Sequence, residues 1–553
     1  MPDLNLIEHH PQRVLAAFRR GEFDQIEIIG QADEKEFFEL CFQEKMLEAL
    51  AKELPTARKK EEVPRWFVLA ANLSLKLHLE NSFLAFERVV RCGGLLSAMP
   101  PEIASKHLNP QTQEILLECQ GFNDKNAYQR STPCDQDFLR KFVKEVSAPR
   151  WMEWFNGPVQ QVFQSQGFFD PAGVFIGDGS YLFVPDNEAY EGSVVLWFDD
   201  HNHPVDYEQL AVPERKKAHR ERCYKLVSLL DLRGDAYVYA GLAVVPGNAH
   251  EDPVLYELVE NFVRHVGRGV IKLLILDRGF IDGPRITRCK REWGIDVLLP
   301  VKKNMDIWTD AWALAKQAPW QPWIPPVAPP QAPPPHRPEV IVRRELKRQK
   351  TLAAKAAQQP PPPAKETLTR TELCPVKGCT SWSQCQVPMN VLLVREHYAD
   401  AHQDQWALMT TADFADPAQP KEQYHWRAAI EERHRLLKCF YDLSDFHSRS
   451  LNVITAQVVF ILLSYTLRQW QLWRLRQEEE LAAKTPGLLQ RRLNIHRQHV
   501  VIYHQHAYTQ MPLVTFTREV LELEPEARAK ALAKIQKLEE SFLTPLDNVR
   551  APP

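Results

Sequence analysis

The chain has 553 residues, 44% of them hydrophobic and 25% charged, which is enough apolar material for several folded units and ordinary for a globular protein. Lys plus Arg number 68 against 71 Asp plus Glu, and the net charge of −3 excludes a polycation that holds nucleic acid by bulk charge alone. Ten scattered cysteines fit reduced thiols, and the N-terminal MPDLNLIEHHPQRVLAAFRRGEFDQ lacks the apolar run of a secretory signal, so a cytoplasmic protein is expected.

Residues 1–150 read as a mostly helical domain, with helical spacing in EKEFFELCFQEKMLEALAKEL and DQDFLRKFVKEV and turn signals at CGGLLSAMPPE and RSTPCDQDF. From about residue 172 the texture changes to the β-branched and aromatic runs GVFIGD, SVVLWFD, DAYVYAGLAVVP, VIKLLILD and IDVLLPV. The helical segment PVLYELVENFVRHV precedes the fourth run and GPRITRCKREWG follows it. This order predicts an α/β core, a mixed sheet with flanking helices, whose first part spans 151–305.

Residues 306–420 read as an insertion. Ten prolines in 319–338 and four more at 360–363 forbid a central strand or a continuing helix and predict a linker, partly polyproline II. The basic VIVRRELKRQKTLAAKAA between them could touch phosphates and reads equally as a solvated helix. Strands are expected at VPMNVLLVRE and QWALMTTAD. Residues 421–475 are the helical second part of the core. The apolar run Val453–Leu467 contains Thr455, Gln457, Ser464 and Tyr465 and is too short to span a membrane, so it reads as a buried helix. A helical tail, 476–553, is a candidate dimerisation element.

Three acidic positions stand out. Asp178 ends GVFIGD and Asp277 ends VIKLLILD, which places both at strand ends, where ligands gather in α/β folds. Taken singly, each is as readily a turn residue. The third lies in YHWRAAIEERHRLLK. With Tyr424 at zero and about 100° per residue, Arg427, Glu431 and Lys438 fall within about 60° of it, a stripe roughly 20 Å long. Trp426, Ala429, Ile430, Leu436, Leu437 and Phe440 fall on the opposite, burying face. A solvated amphipathic helix has the same pattern.

The spacing Tyr424-x2-Arg427-x3-Glu431-x6-Lys438 resembles the Tyr-Arg-Glu-Lys signature of the DDE transposases of the insertion-sequence-4 type. IGDGSYL is similar to that family's first-aspartate strand, and ILDRGFIDG with GIDVLLPVKKN to its second-aspartate strand, helix and following strand. The likeness covers about 172–470, is vague in 1–150, and the proline-rich stretch departs from the family's β-rich insertion. It implies a ribonuclease-H-like core in which Asp178, Asp277 and Glu431 are catalytic and hold two Mg²⁺, with Mn²⁺ as a substitute. It further implies that Arg427 and Lys438 grip DNA phosphates, that Tyr424 hydrogen-bonds the same backbone, and that Trp406 stacks an extruded base. Trp406 reads as readily as a core residue. The implied function is binding of terminal inverted repeats in the 1–150 domain, strand cleavage and strand transfer, by cut-and-paste through a hairpin. Its partners are double-stranded transposon ends and target DNA, with a homodimer assembled on them, no membrane, and nucleoid association when bound. A nuclease of the same fold without strand transfer, or a non-catalytic DNA-binding derivative, are the alternatives.

Other constellations are weaker. Cys374, Cys379, Cys385, His397 and His402 could ligate zinc, but C-x4-C is looser than ordinary zinc pairs. His201 and His203 lie in a turn, FDDHNHP, and Asp199 and Asp200 beside them could compete for the first metal position, although the context of Asp178 matches the family better. His250 and Glu251 read as a helix start.

Overall fold

The computed structural model describes residues 8–29, 32–86, 89, 95, 104–108, 115–119, 134–233, 236–324, 368–479, 499–505 and 507–543. They divide into two compact units, one made of Met1–Ile271 with Ala429–Pro553 and the other of Lys272–Ala428. The proline-rich 325–367 with its basic stretch, the RSTP turn, and all but Leu95 of the turn at 92–102 lie outside the described residues.

In the first unit the two ends of the chain share a four-stranded sheet. Strand β1 (Glu8–His9) runs parallel to β17 (Ala507–Pro512), which pairs antiparallel with β16 (His499–His504), and β16 pairs antiparallel with β2 (Gln25–Ile29), placing Ile26 opposite Ile502. Helices α1 (Pro11–Arg19), α14 (Leu513–Glu522) and α15 (Pro525–Leu543) contribute Val14, Phe18, Phe516 and Ala531 to one core with Ile26, Val500 and Ile502. The tail is therefore not helical throughout, and the N-terminal region is not purely helical either. A second pair, β3 (Ala104–Leu108) and β4 (Ile115–Cys119), adds to the departure. The strands are short, and β1 and β2 find their partners, β17 and β16, only about 470–500 residues further along the sequence.

The expected N-terminal helices form as α2 (Ala32–Gln43), α3 (Met46–Ala51), α4 (Arg65–Leu77) and α5 (Gln136–Glu145). Lys45, at φ 53°, interrupts the first run. Asp135 caps α5 by accepting from the N–H of Asp137 at 2.7 Å. Helix α13 (Leu451–Glu479) carries the apolar run and extends it, so that Leu451–Arg474 is, by length and composition, long and apolar enough to cross a membrane, contrary to expectation; most of it is buried within the protein. Phe460 packs between Trp151 and Trp154 of α6 (Ala148–Trp154), with ring centroids 5.4 and 6.2 Å away.

The main sheet of this unit is a set of antiparallel strands, β5 (Val174–Val184), β6 (Val194–Phe198), β7 (Pro204–Val205), β8 (His219–Arg233) and β9 (Ala236–Pro246). Strand β8 is central, pairing with β5 on one side and with β6 and β9 on the other. Helices α7 (Gln160–Ser165) and α8 (Glu251–Val266) flank it. Asp178 does not end its strand as expected. Strand β5 continues six residues further, to Val184, because its apolar pattern resumes at Tyr181-Leu-Phe-Val against β8.

The second unit contains the parallel pair β10 (Leu273–Ile275) and β11 (Asp296–Pro300), joined through α9 (Gly283–Arg288) and a wider helical turn to Trp293. The sheet runs β12-β13-β14-β15-β11-β10, with β12 at Gln321–Trp323, β13 at Leu368–Cys379, β14 at Met389–Tyr398 and β15 at Gln403–Thr410. Pro322 sits on the edge strand, where its missing N–H costs no ladder bond. Because β15 pairs antiparallel with β11, the strands of the expected insertion extend the sheet that holds β10 and β11. The compact boundary accordingly falls at residue 272 rather than 306. The α/β class and mixed sheet stand as expected.

Candidate active site

Within the first unit, Asp178 on β5 lies directly opposite Ser228 on β8. Side chains alternate along a strand, so Asp178 and Ser180 share one face, and helix α12 (Ala428–Phe440) meets that face. His434 brings Nε2 to 3.5 Å from Ser228 Oγ and 3.9 Å from Asp178 Oδ2. One turn later, Lys438 Nζ donates to Ser180 Oγ at 2.7 Å. Ile430, Leu436 and Leu437 of the same helix are buried. Glu431 stands exposed in its first turn, three residues before His434 and on the same side. Burial pushes the His434 imidazole down to about 3, with Lys438 adding to the effect, so the ring is neutral near pH 7. Burial also lowers Lys438, against the opposing pull of Asp178.

Within the second unit, Asp277 lies two residues beyond β10 and accepts from the N–H of Gly279 at 2.5 Å. It is thus at a strand end, and also serves the local turn. Arg427 Nη1 is 3.9 Å from its Oδ2. Burial raises the Tyr424 phenol, with Arg427 and Asp277 among the charges it senses. Tyr424 closes helix α11 (Ala418–His425), and Arg427 stands in the turn before α12. The single continuous stripe from Tyr424 to Lys438 is therefore broken at Trp426. That tryptophan, expected on the burying face, is 44% exposed.

Trp406 lies on β15, and its ring is engaged: Lys421 Nζ stands 4.8 Å from its centroid and 4.6 Å from that of Trp323. Lys421 is only 15% exposed, approaches Glu396 Oε1 at 3.5 Å, and is lowered by burial. Arg395 lies over Trp320 at 4.0 Å in the same unit. Sequence reasoning missed His434, Ser228, Ser180 and Lys421. The i, i+4 pair His434 and Lys438 was the available signal, obscured because Ser228 sits in a strand that charge disguises.

The remaining candidates have other engagements. Cys374 and Cys379 are buried thiols on β13, as is Cys385 beyond it, while His397 contacts Glu372 at 3.0 Å and His402 contacts Asp404 at 3.1 Å. Asp199 accepts from the N–H groups of His201 and His203 at 2.9 and 2.8 Å, closing a turn. His250 precedes α8 as its cap residue and Glu251 begins it.

Asp178, Asp277 and Glu431 are hard oxygen donors, with Asp178 14% and Asp277 37% exposed, and in donor chemistry they suit a divalent cation such as Mg²⁺. Two belong to the first unit and one to the second. Among the described residues, no three His, Cys, Asp or Glu side chains gather at metal-binding distance.

The family described as the transposase DDE domain matches residues 190–467, half of the chain. The chain belongs to this family and is a DDE transposase. The match begins twelve residues after Asp178 and includes Asp277, Trp406, Tyr424, Arg427, Glu431 and Lys438. Among solved structures, a piggyBac transposase synaptic complex with hairpin DNA is similar at 10% identity, with a TM-score of 0.35, over 83% of this chain and 78% of that one. No curated protein matches significantly.

Proposed function

We propose that the chain is a DDE transposase of the insertion-sequence-4 type with a ribonuclease-H-like core. It binds the terminal inverted repeats of its own mobile element and carries out strand cleavage and strand transfer, by cut-and-paste through a hairpin. The observation that carries this reading is the family match across the Tyr424, Arg427, Glu431 and Lys438 spacing. The placement of Asp178 against the helix that bears Glu431, through His434, supports it.

In this reading Asp178, Asp277 and Glu431 hold two Mg²⁺, with Mn²⁺ as substitute. When bound, the ions activate a water or 3′-hydroxyl and stabilise the leaving oxygen. Arg427 presents a planar fork suited to a phosphate, and Lys438 a point charge. Tyr424 donates a hydrogen bond from its hydroxyl to the DNA backbone, and burial, which raises the phenol, favours the protonated form that can donate. Trp406 offers a stacking face for a base in competition with Lys421. Sequence recognition is assigned to residues 1–150 and dimer contacts to 476–553, the protein acting as a homodimer on its DNA in the cytoplasm and nucleoid.

The test is cleavage and joining of labelled DNA carrying the element's ends, with Mg²⁺ or EDTA, by wild type and Glu431→Gln. Metal-dependent cleavage and joining that vanish in the variant while DNA binding survives are expected. Binding without cleavage by wild type overturns the enzymatic reading, and cutting without joining replaces it with a nuclease.

A further inference from the structure

We infer that His434, together with Ser228, is a positioning residue that fixes the orientation of the Asp178 carboxylate. The inference rests on the reading of Asp178 as a metal-holding residue, and its starting point is geometric. Ser228 is the direct cross-strand neighbour of Asp178, and His434 Nε2 lies 3.5 Å from the hydroxyl and 3.9 Å from the carboxylate. The His434 side chain is 5% exposed, and its Nδ1 has no hydrogen-bond partner among the described residues. A buried imidazole must spend its N–H on some acceptor, and the Ser228 hydroxyl is within hydrogen-bond reach of Nε2, with the Asp178 carboxylate just beyond it.

The tautomer that satisfies the site is therefore Nε2–H. Lys438, one turn further along the same helix, is engaged elsewhere and donates to Ser180. An Nε2–H ring set against these two oxygens restricts the orientation of Asp178. Partners that orient a ligating carboxylate in this way typically change metal affinity 10–100-fold when removed.

Two measurements on the full-length protein test this. In the ¹⁵N-edited spectrum of the histidine rings, with His434 assigned by its loss in His434→Gln, the neutral Nε2–H tautomer is expected, with its signals shifted in Asp178→Asn. An Nδ1–H tautomer, or signals unmoved by Asp178→Asn, overturns the inference. The second is Mn²⁺ binding followed by electron paramagnetic resonance. His434→Phe and Ser228→Ala are expected to weaken binding about tenfold, and His434→Gln, whose amide can donate from a similar position, to restore most of it. Wild-type affinity in a folded His434→Phe or Ser228→Ala variant also overturns it. A wild type that binds no Mn²⁺ sinks the metal reading instead, and the ring spectrum then decides whether His434 positions Asp178.

Discussion

The ammonium of Lys438 donates to the hydroxyl of Ser180 at 2.7 Å and so ties helix α12 to strand β5, two residues from Asp178. A hydrogen bond from a charged donor in a half-buried setting is worth about 1.5–3 kcal/mol, and losing its acceptor strands the charge. Ser180→Ala is expected to lower the unfolding free energy by about that amount in urea titrations. A variant as stable as wild type would show that the tie contributes nothing to holding the helix.

Asp231 on β8 is fully buried, and burial is the main force raising its carboxyl to about 8; the backbone N–H of Asp170 opposes it, the Asp170 carboxylate adds to it, and Arg233 opposes it. Its Oδ2 accepts from the N–H of Asp170 at 3.1 Å, while Oδ1 has no partner among the described residues. The folded state therefore holds a proton that the unfolded chain releases near pH 4. The stability this group contributes is complete below about pH 4 and is lost as pH rises towards 8. Urea midpoints at pH 5 and pH 8 are expected to differ in wild type and to converge in Asp231→Asn. An undiminished difference in the variant would remove Asp231 as its source.

The strand of Asp231 also shows where sequence reading stops. The runs that became β5, β6, β9, β10 and β11 were legible because each is apolar and bounded by turn residues. Strand β8, the centre of the same sheet, was not, because HRERCYKLVSLLDLR carries Arg222, Lys225 and Asp231 at positions the fold buries. Arg222 is accommodated by Asp186 at 3.1 Å and Lys225 by the carbonyl of Ala249 at 3.0 Å, partners invisible to periodicity. The acidic residues could be picked out from their strand-like contexts. The buried His434 could not, since nothing in EERHRLLK says which polar residue faces inward, and the turn at Trp426 breaks the wheel on which the stripe was drawn.

Gly283 opens α9 at a point where a Cβ would come within 2.5 Å of the backbone carbon and oxygen of Gln384. Backbone cannot rotate away as a side chain can, so Gly283→Ala acts as overpacking and is expected to cost about 1–3 kcal/mol. Thermal unfolding reads this directly. A midpoint equal to wild type would mean that the loop carrying Gln384 yields freely.

Lys421 lies between the rings of Trp323 and Trp406. Partly desolvated cation–π contacts are worth about 0.5–2 kcal/mol. A double-mutant cycle of Lys421→Met and Trp406→Leu is expected to return a coupling in that range. Coupling near zero would leave Trp406 as an ordinary packing residue, with its ring free for another ligand.

The sheet built from both chain ends sets a timetable for synthesis. Ile26 pairs with Ile502, 476 residues later, and at about 5–20 residues per second that partner emerges roughly 24–95 s after it. Throughout that interval Val14, Phe18 and Ile26 have none of the C-terminal surface they pack against. Any product broken off before residue 499 keeps them uncovered, an apolar patch of the kind that invites aggregation and proteolysis. Closing this sheet is therefore one of the last events of folding during synthesis, since it waits on translation through β16 and β17.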